Sequence, residues 1–218
     1  MNLPAIFRTN RWNRIRYTLY APGYDLAARI FSKSRNKSIR ELEICKGDKV
    51  LIVGAGTGLD LEFITGDCQI TATDITPAMI ARTLKKNRLF KRNLKAEVMD
   101  GQHLNLPDKV ADKIILHLIL AVIPDPVACL KECERVLKPD GRITVFDKFV
   151  PEGRALSFRR KFFNPIANLL FSDITRRFES IVTHTNLVIE SDQQADFNGN
   201  FRIIRLRHGL KDFDNPVL

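Results

Sequence analysis

The chain has no apolar run approaching the roughly 18 residues that a bilayer-crossing helix needs, although 44% of its 218 residues are hydrophobic. Its first residues, Met-Asn-Leu-Pro-Ala-Ile-Phe-Arg, lack the apolar stretch of a secretory signal. Both absences argue against an integral or exported protein. The expectation is a cytoplasmic chain, soluble or peripheral on the inner face of the membrane. There is no C-x-x-C pair: Cys45, Cys68, Cys129 and Cys133 are dispersed, and the last two lie four apart on one helix face. That spacing reads as reduced core thiols rather than metal ligands. Internal repeats and low-complexity tracts are also missing, which leaves one compact α/β domain as the natural use of this length.

What is present in excess is positive charge, 35 Lys+Arg against 25 Asp+Glu for a net +10. It is unevenly placed. Residues 1–49 carry 11 basic against 4 acidic side chains and residues 151–178 carry 6 against 2, while 50–150 stand at 14 against 13 and 179–218 at 4 against 6. An anionic partner would therefore meet the two segments that flank the central domain.

Apolar runs at Val50–Val53, Ile70–Thr73, Ala96–Met99, Lys113–Leu118 and Arg142–Phe146 read as strands. Helices fit between them at Gly58–Thr65, at Pro77–Phe90 with Thr76 as N-cap, and at Pro126–Leu137. This alternation predicts right-handed crossovers and a mostly parallel sheet. Two further strands, Leu187–Ala195 and Phe201–Arg207, flank the turn signal Phe197-Asn198-Gly199-Asn200. The first strand runs into Gly54-Ala55-Gly56-Thr57-Gly58, and Asp74 ends the second strand twenty positions after Gly54. Glycines allow a tight turn and close approach of a ligand, and a carboxylate at the next strand end can accept two ribose hydroxyls. A dinucleotide fingerprint wants a small residue where Leu59 stands, so a pyrophosphate is disfavoured and a phosphate-free nucleoside fits better.

Four segments in order, VLIVGAGTGLD, ATDITPAMI, MDGQHLNLP and LKECERVLKPDGRITVFDKF, resemble the class I S-adenosylmethionine-dependent methyltransferases. The resemblance covers about residues 45–150 and implies a Rossmann-like fold with a seven-stranded, mostly parallel sheet, an antiparallel last strand, and helices on both faces. It implies S-adenosyl-L-methionine as cofactor and S-adenosyl-L-homocysteine as product. Gly54, Ala55, Gly56 and Gly58 would approach the methionine end, Asp74 the ribose, Ile75 and Met79 the adenine face, and Asp100 and the Gly101 backbone the adenine edge. The chain departs from the family at Ile52, where an Asp or Glu often helps to hold the cofactor's amino acid; either another group contributes there or cofactor affinity drops.

Methyl transfer from a sulfonium needs positioning more than acid or base chemistry. The candidates for acceptor handling are Tyr17, Tyr20, Tyr24 and His117, with Tyr24-Asp25 resembling a pair that precedes the core in quinone and phospholipid methyltransferases. His117 also fits a satisfied, partly buried histidine. Residues 1–44 then form an N-terminal lid or interfacial segment, and 45–218 the methyltransferase domain with a basic, aromatic insertion at 151–178. Residues 3–20 and 156–178 combine apolar side chains with arginines, as interfacial elements do. With the run HLILAVIPDP, this resembles bacterial phosphatidylethanolamine N-methyltransferases, implying a phospholipid or other amphiphilic acceptor at an anionic membrane surface. C- or O-methylation of a quinone precursor is the alternative. A different class, RNA binding through Lys85, Lys86, Arg88, Lys91, Arg92 and Lys95, is disfavoured because no base-methylating N/D-P-P-Y/F motif follows the fourth strand. A non-catalytic cofactor-binding protein is the third class, and the oligomeric state stays open.

Overall fold

The computed structural model describes residues 9–11, 13–16, 18, 29–150, 176–196 and 200–209. Seven strands form one sheet: β1 (Lys49–Val53), β2 (Gln69–Asp74), β3 (Asn93–Val98), β4 (Ala111–His117), β5 (Leu137–Lys148), β6 (Leu187–Gln194) and β7 (Phe201–His208). Their spatial order is β3-β2-β1-β4-β5-β7-β6. The first five run parallel, and β7 enters antiparallel between β5 and β6. The expected fold class is therefore observed. Among the described residues, besides an N-terminal helical stretch at 10–11 and 13–16, the helices are α1 (Ser32–Arg40), α2 (Pro77–Phe90), α3 (Pro126–Val136) and the single turn α4 (Glu179–Val182). Among the described residues no helix is long and apolar enough to cross a membrane.

The alternation of strand side chains divides the core in two. Leu51 and Val53 of β1 face α3, whose Cys129, Leu130, Cys133 and Val136 are buried against them. Val50 and Ile52 face the other way, onto Ile39 of α1 and onto Leu42, Leu61 and Ile64. Each such side chain contributes roughly 1.5–3 kcal/mol by leaving water. Both α2 and α3 start with Pro at the first helical position, and Asp125 caps α3 by accepting from the Ala128 N–H at 2.9 Å. All four cysteines are free thiols, and Cys68, Cys129 and Cys133 are buried.

Some sequence expectations need correction. The helix expected at Gly58–Thr65 is only a 3-10 turn, Leu59–Glu62. Gly58 is left-handed (φ 77°), and Asp60 points its side chain into the core instead of out along a helix. β3 starts at Asn93, three residues earlier than expected, because it is the edge strand and carries exposed Asn93 and Lys95. The expected helix Pro77–Phe90 with Thr76 at its N-cap is observed as α2, although the Thr76 side chain makes no capping hydrogen bond. The β6–β7 hairpin closes through the Ala195 N–H to Phe201 C=O bond.

Candidate active site

Parallel strands leave their C-terminal ends along one side of the sheet, where side chains from four loops converge. One cleft there is lined by Gly54 and Gly56 after β1, Asp74, Ile75 and Met79 around the end of β2, Asp100 and Gly101 after β3, and His117 to Ile119 after β4. Val53, Met99, Val122 and Ile123 complete an apolar wall, and Asn10 and Asn13 of the N-terminal helical stretch lie across the opening. Of the residues expected to meet the cofactor, Ala55 and Gly58 are not in this lining. Ala55 is buried and donates its N–H to Thr73 C=O, while Gly58 backs onto Thr83 of α2. Tyr17, Tyr20 and Tyr24 lie outside the described residues.

The turn is held by its neighbours. Gly54 (φ 72°), Gly56 (φ 58°) and Gly58 are all left-handed. Asp74 anchors the middle: one carboxylate oxygen accepts from the Gly56 N–H at 2.9 Å and the other from the Thr76 N–H at 2.8 Å. Thr83 donates to Gly56 C=O at 2.9 Å from the far side. Burial pushes the Asp74 carboxyl above its ordinary value, and the two amides partly offset that rise. Each oxygen spends one lone pair on a backbone amide, which leaves acceptor capacity facing the cleft.

Asp100 plays two structural parts. It caps its own turn through the Gln102 N–H at 3.0 Å, and it accepts from Asn10 Nδ2 at 2.5 Å. Asn13 Nδ2 donates to Val122 C=O at 3.1 Å, so two asparagines fasten the N-terminal stretch over the cleft.

His117 is 4% exposed and both ring nitrogens are engaged, Nδ1 with Asp60 at 2.8 Å and Nε2 with Ser38 at 2.9 Å. Burial pulls its pKa down, Asp60 opposes that, and the net direction is toward the neutral ring. Of the two readings the sequence allowed, the geometry favours the satisfied buried histidine. A ring with neither nitrogen free cannot accept a proton from a substrate without breaking this arrangement. Sequence reasoning missed Asp60, Arg35, Ser38, Asn10 and Asn13. One signal was available for α1: Arg35 and Ser38 fall on the same helical face as Ile39 and Leu42, where apolar residues belong.

Among the described residues the lining contains two carboxylates and no Lys or Arg. That acidic, acceptor-rich lining repels a pyrophosphate and suits a nucleoside carrying positive charge. With ribose acceptors at Asp74, an apolar slot beside Met79 and left-handed glycines at the turn, the residues fit S-adenosylmethionine. No group of side chains among the described residues could hold a metal ion.

This site on a seven-stranded sheet with a reversed β7 defines a class I S-adenosylmethionine-dependent methyltransferase. Residues 51–145 match the family model described as Methyltransferase domain. It is similar to the phosphatidylethanolamine N-methyltransferase of Cereibacter sphaeroides, 24% identical over 186 residues that cover 84% of this chain and 92% of the relative. It is also similar to the demethylmenaquinone methyltransferase of Tropheryma whipplei (strain Twist), 28% identical over 151 residues, 68% of this chain and 59% of the relative. Among solved structures it shares its fold with a SAM-dependent methyltransferase from Aquifex aeolicus (TM-score 0.60, 18% identity, 79% and 88% of the two chains covered). The [4+2]-cyclase SpnF has the same fold (TM-score 0.69, 14% identity, 83% and 81% covered), so the architecture by itself fixes neither the reaction nor the acceptor.

Proposed function

We propose that this enzyme methylates the amine of a phospholipid headgroup, most simply phosphatidylethanolamine, at an anionic membrane surface on the cytoplasmic side. The observation that carries the reading is the alignment with a phosphatidylethanolamine N-methyltransferase over 186 residues, 84% of this chain and 92% of that relative, well beyond the length of residues 51–145. The basic, aromatic segments at 3–20 and 156–178 support it from the sequence; residues 1–8 and 151–175 lie outside the described structure. Support among the described residues comes from α2. At about 100° per residue, Ala81, Leu84, Lys85, Arg88 and Leu89 share one arc of that helix. Leu84 is 46% and Leu89 80% exposed beside these cations. An apolar and basic stripe of this kind suits a lipid surface better than the RNA backbone considered from sequence, which would leave the leucines in water.

In this reading Asp74 binds the ribose hydroxyls, Ile75 and Met79 pack the adenine, Asp100 and the Gly101 backbone meet its edge, and Gly54 and Gly56 admit the methionine end. The cofactor supplies an already activated methyl group on a sulfonium. The protein's part is to exclude water and align an uncharged amine for in-line attack, with residues 1–44 as the covering segment. Tyr20 and Tyr24 remain the proposed acceptor-side residues, and His117 acts through position rather than as a base. Methylation of a quinone precursor is the second reading, favoured by the similarity to demethylmenaquinone methyltransferase. Incubation with methyl-labelled cofactor and a total lipid extract separates them. Label in phosphatidylethanolamine derivatives is expected; label confined to the quinone fraction would overturn the first reading in favour of the second.

A further inference from the structure

Ile52 lies beneath the glycine turn, 1% exposed among Ile39, Leu61 and Ile64, and brings no charge to the cofactor site. Eight residues later the chain supplies a carboxylate by another route. Asp60, two residues past Gly58, is 2% exposed and aims its side chain inward. Its Oδ1 accepts from Arg35 Nη1 at 2.7 Å and from His117 Nδ1 at 2.8 Å. His117 Nε2 meets Ser38 Oγ at 2.9 Å, and Ser38 Oγ meets Thr144 Oγ1 at 2.7 Å.

The direction of every bond follows from chemistry. An ionised carboxylate only accepts, so the ring hydrogen sits on Nδ1. In the neutral ring Nε2 must then accept, which makes Ser38 the donor and leaves Thr144 to donate to Ser38. Five buried side chains from four elements, α1, the 3-10 turn, β4 and β5, thus form one ordered chain. A buried ion pair is a poor device for stability alone, since apolar side chains of similar volume commonly do as well. What it can do is fix a unique arrangement, and this one fixes the end of the glycine turn against the helix that follows the N-terminal segment.

We infer that Asp60 compensates by positioning, not by contact, for the carboxylate missing at position 52, with Arg35 and Ser38 as its supporting positioning residues: together they hold the turn in the shape that receives the methionine end of the cofactor. The inference rests on the cofactor and not on the acceptor, so it stands or falls separately from the lipid reading. None of the three lines the cleft; they act through the turn and through His117.

The test uses the full-length protein. Calorimetry with S-adenosylmethionine and with S-adenosylhomocysteine should show Asp60→Asn weakening both at least about tenfold. KM for the cofactor should rise in step while kcat stays within about threefold, and amide exchange at residues 54–60 should accelerate in the absence of cofactor. A purely structural role would lower the melting temperature without splitting KM from kcat. The double variant Asp60→Asn/Arg35→Gln removes both buried charges and covers the case in which the single variant fails to fold. Its affinity should stay low even where its stability recovers. In the unaltered protein, nitrogen NMR should find His117 neutral with its hydrogen on Nδ1. A folded single or double variant that binds either ligand within twofold of the parent, a fall in kcat with unchanged affinity, or a His117 ring protonated on Nε2 would each overturn the inference.

Discussion

Asp147 shows how much a single buried residue can tie to pH. It lies one residue before the end of β5, only 1% exposed, with its oxygens accepting from the Ala121 N–H at 2.9 Å and the Lys148 N–H at 2.7 Å. Burial pushes its carboxyl up to about 6, against the partial relief of those two amides. The folded state therefore holds this proton more tightly than the unfolded chain does, whose aspartates titrate at about 3.9. The resulting stabilisation is complete below about pH 4 and is lost as the pH rises through about 6. Asp60 works in the opposite sense. Burial would raise it, but Arg35 and His117 outweigh burial and hold it well below the carboxylate range, so its contribution is full above about pH 4 and is lost progressively as the pH falls below that. The expected outcome is that Asp147→Asn gains in melting temperature relative to the parent between pH 5 and 7, by the equivalent of roughly 1–3 kcal/mol. A difference in melting temperature that does not change with pH would mean that Asp147 is not the titrating group.

The glycine turn can be separated into strain and space at the scale of the element. Gly54 is left-handed, and a Cβ there would come within 2.7 Å of Ile119 Cδ1, a side chain that lines the cleft. Gly66 is left-handed too (φ 95°), with nothing within 4 Å of its missing Cβ. Both Gly→Ala changes should cost about 1–3 kcal/mol through backbone strain, read from denaturant midpoints. Only Gly54→Ala should also weaken cofactor binding in calorimetry, because it displaces Ile119. Equal affinity in the two variants would remove the turn from the binding site. This element was legible in the sequence because its signal is local: a buried strand, three glycines and Asp74 at a fixed distance. The helix expected after it failed because nothing local reveals that Asp60 turns inward to Arg35 and His117, partners 25 and 57 positions away. The relay through Ser38 and Thr144 was invisible for the same reason, as it spans 106 positions. The start of β3 escaped because an edge strand may carry Asn93 and Lys95 on its open side, which erases the apolar pattern.

For the whole molecule, charge placement is the leading feature. Glu97 is the sole acid between residues 77 and 98, against seven basic side chains there, and it pairs with Lys95 at 3.0 Å. If α2 rides on an anionic bilayer, each cation near the surface adds about 1 kcal/mol. Reversing Lys85 and Arg88 to Glu while changing Leu89 to Ser should reduce co-sedimentation with anionic vesicles at least tenfold, leaving cofactor affinity in solution unchanged. Unaltered vesicle binding would assign recruitment to other segments, and tight RNA binding by the parent protein would favour the nucleic-acid class instead.

The order β5-β7-β6 has a consequence for how this chain is completed. The seventh strand in sequence is an interior strand in space, hydrogen-bonded on both sides, with Ile203, Ile204 and Leu206 buried. Until residues 201–208 arrive, β5 and β6 have a vacancy between them, and the sheet is split rather than merely short at one end. Damage there removes a keystone, not a fringe: a break just before Phe201 would expose two raw strand edges at once, each able to recruit the same segment from another copy of the chain.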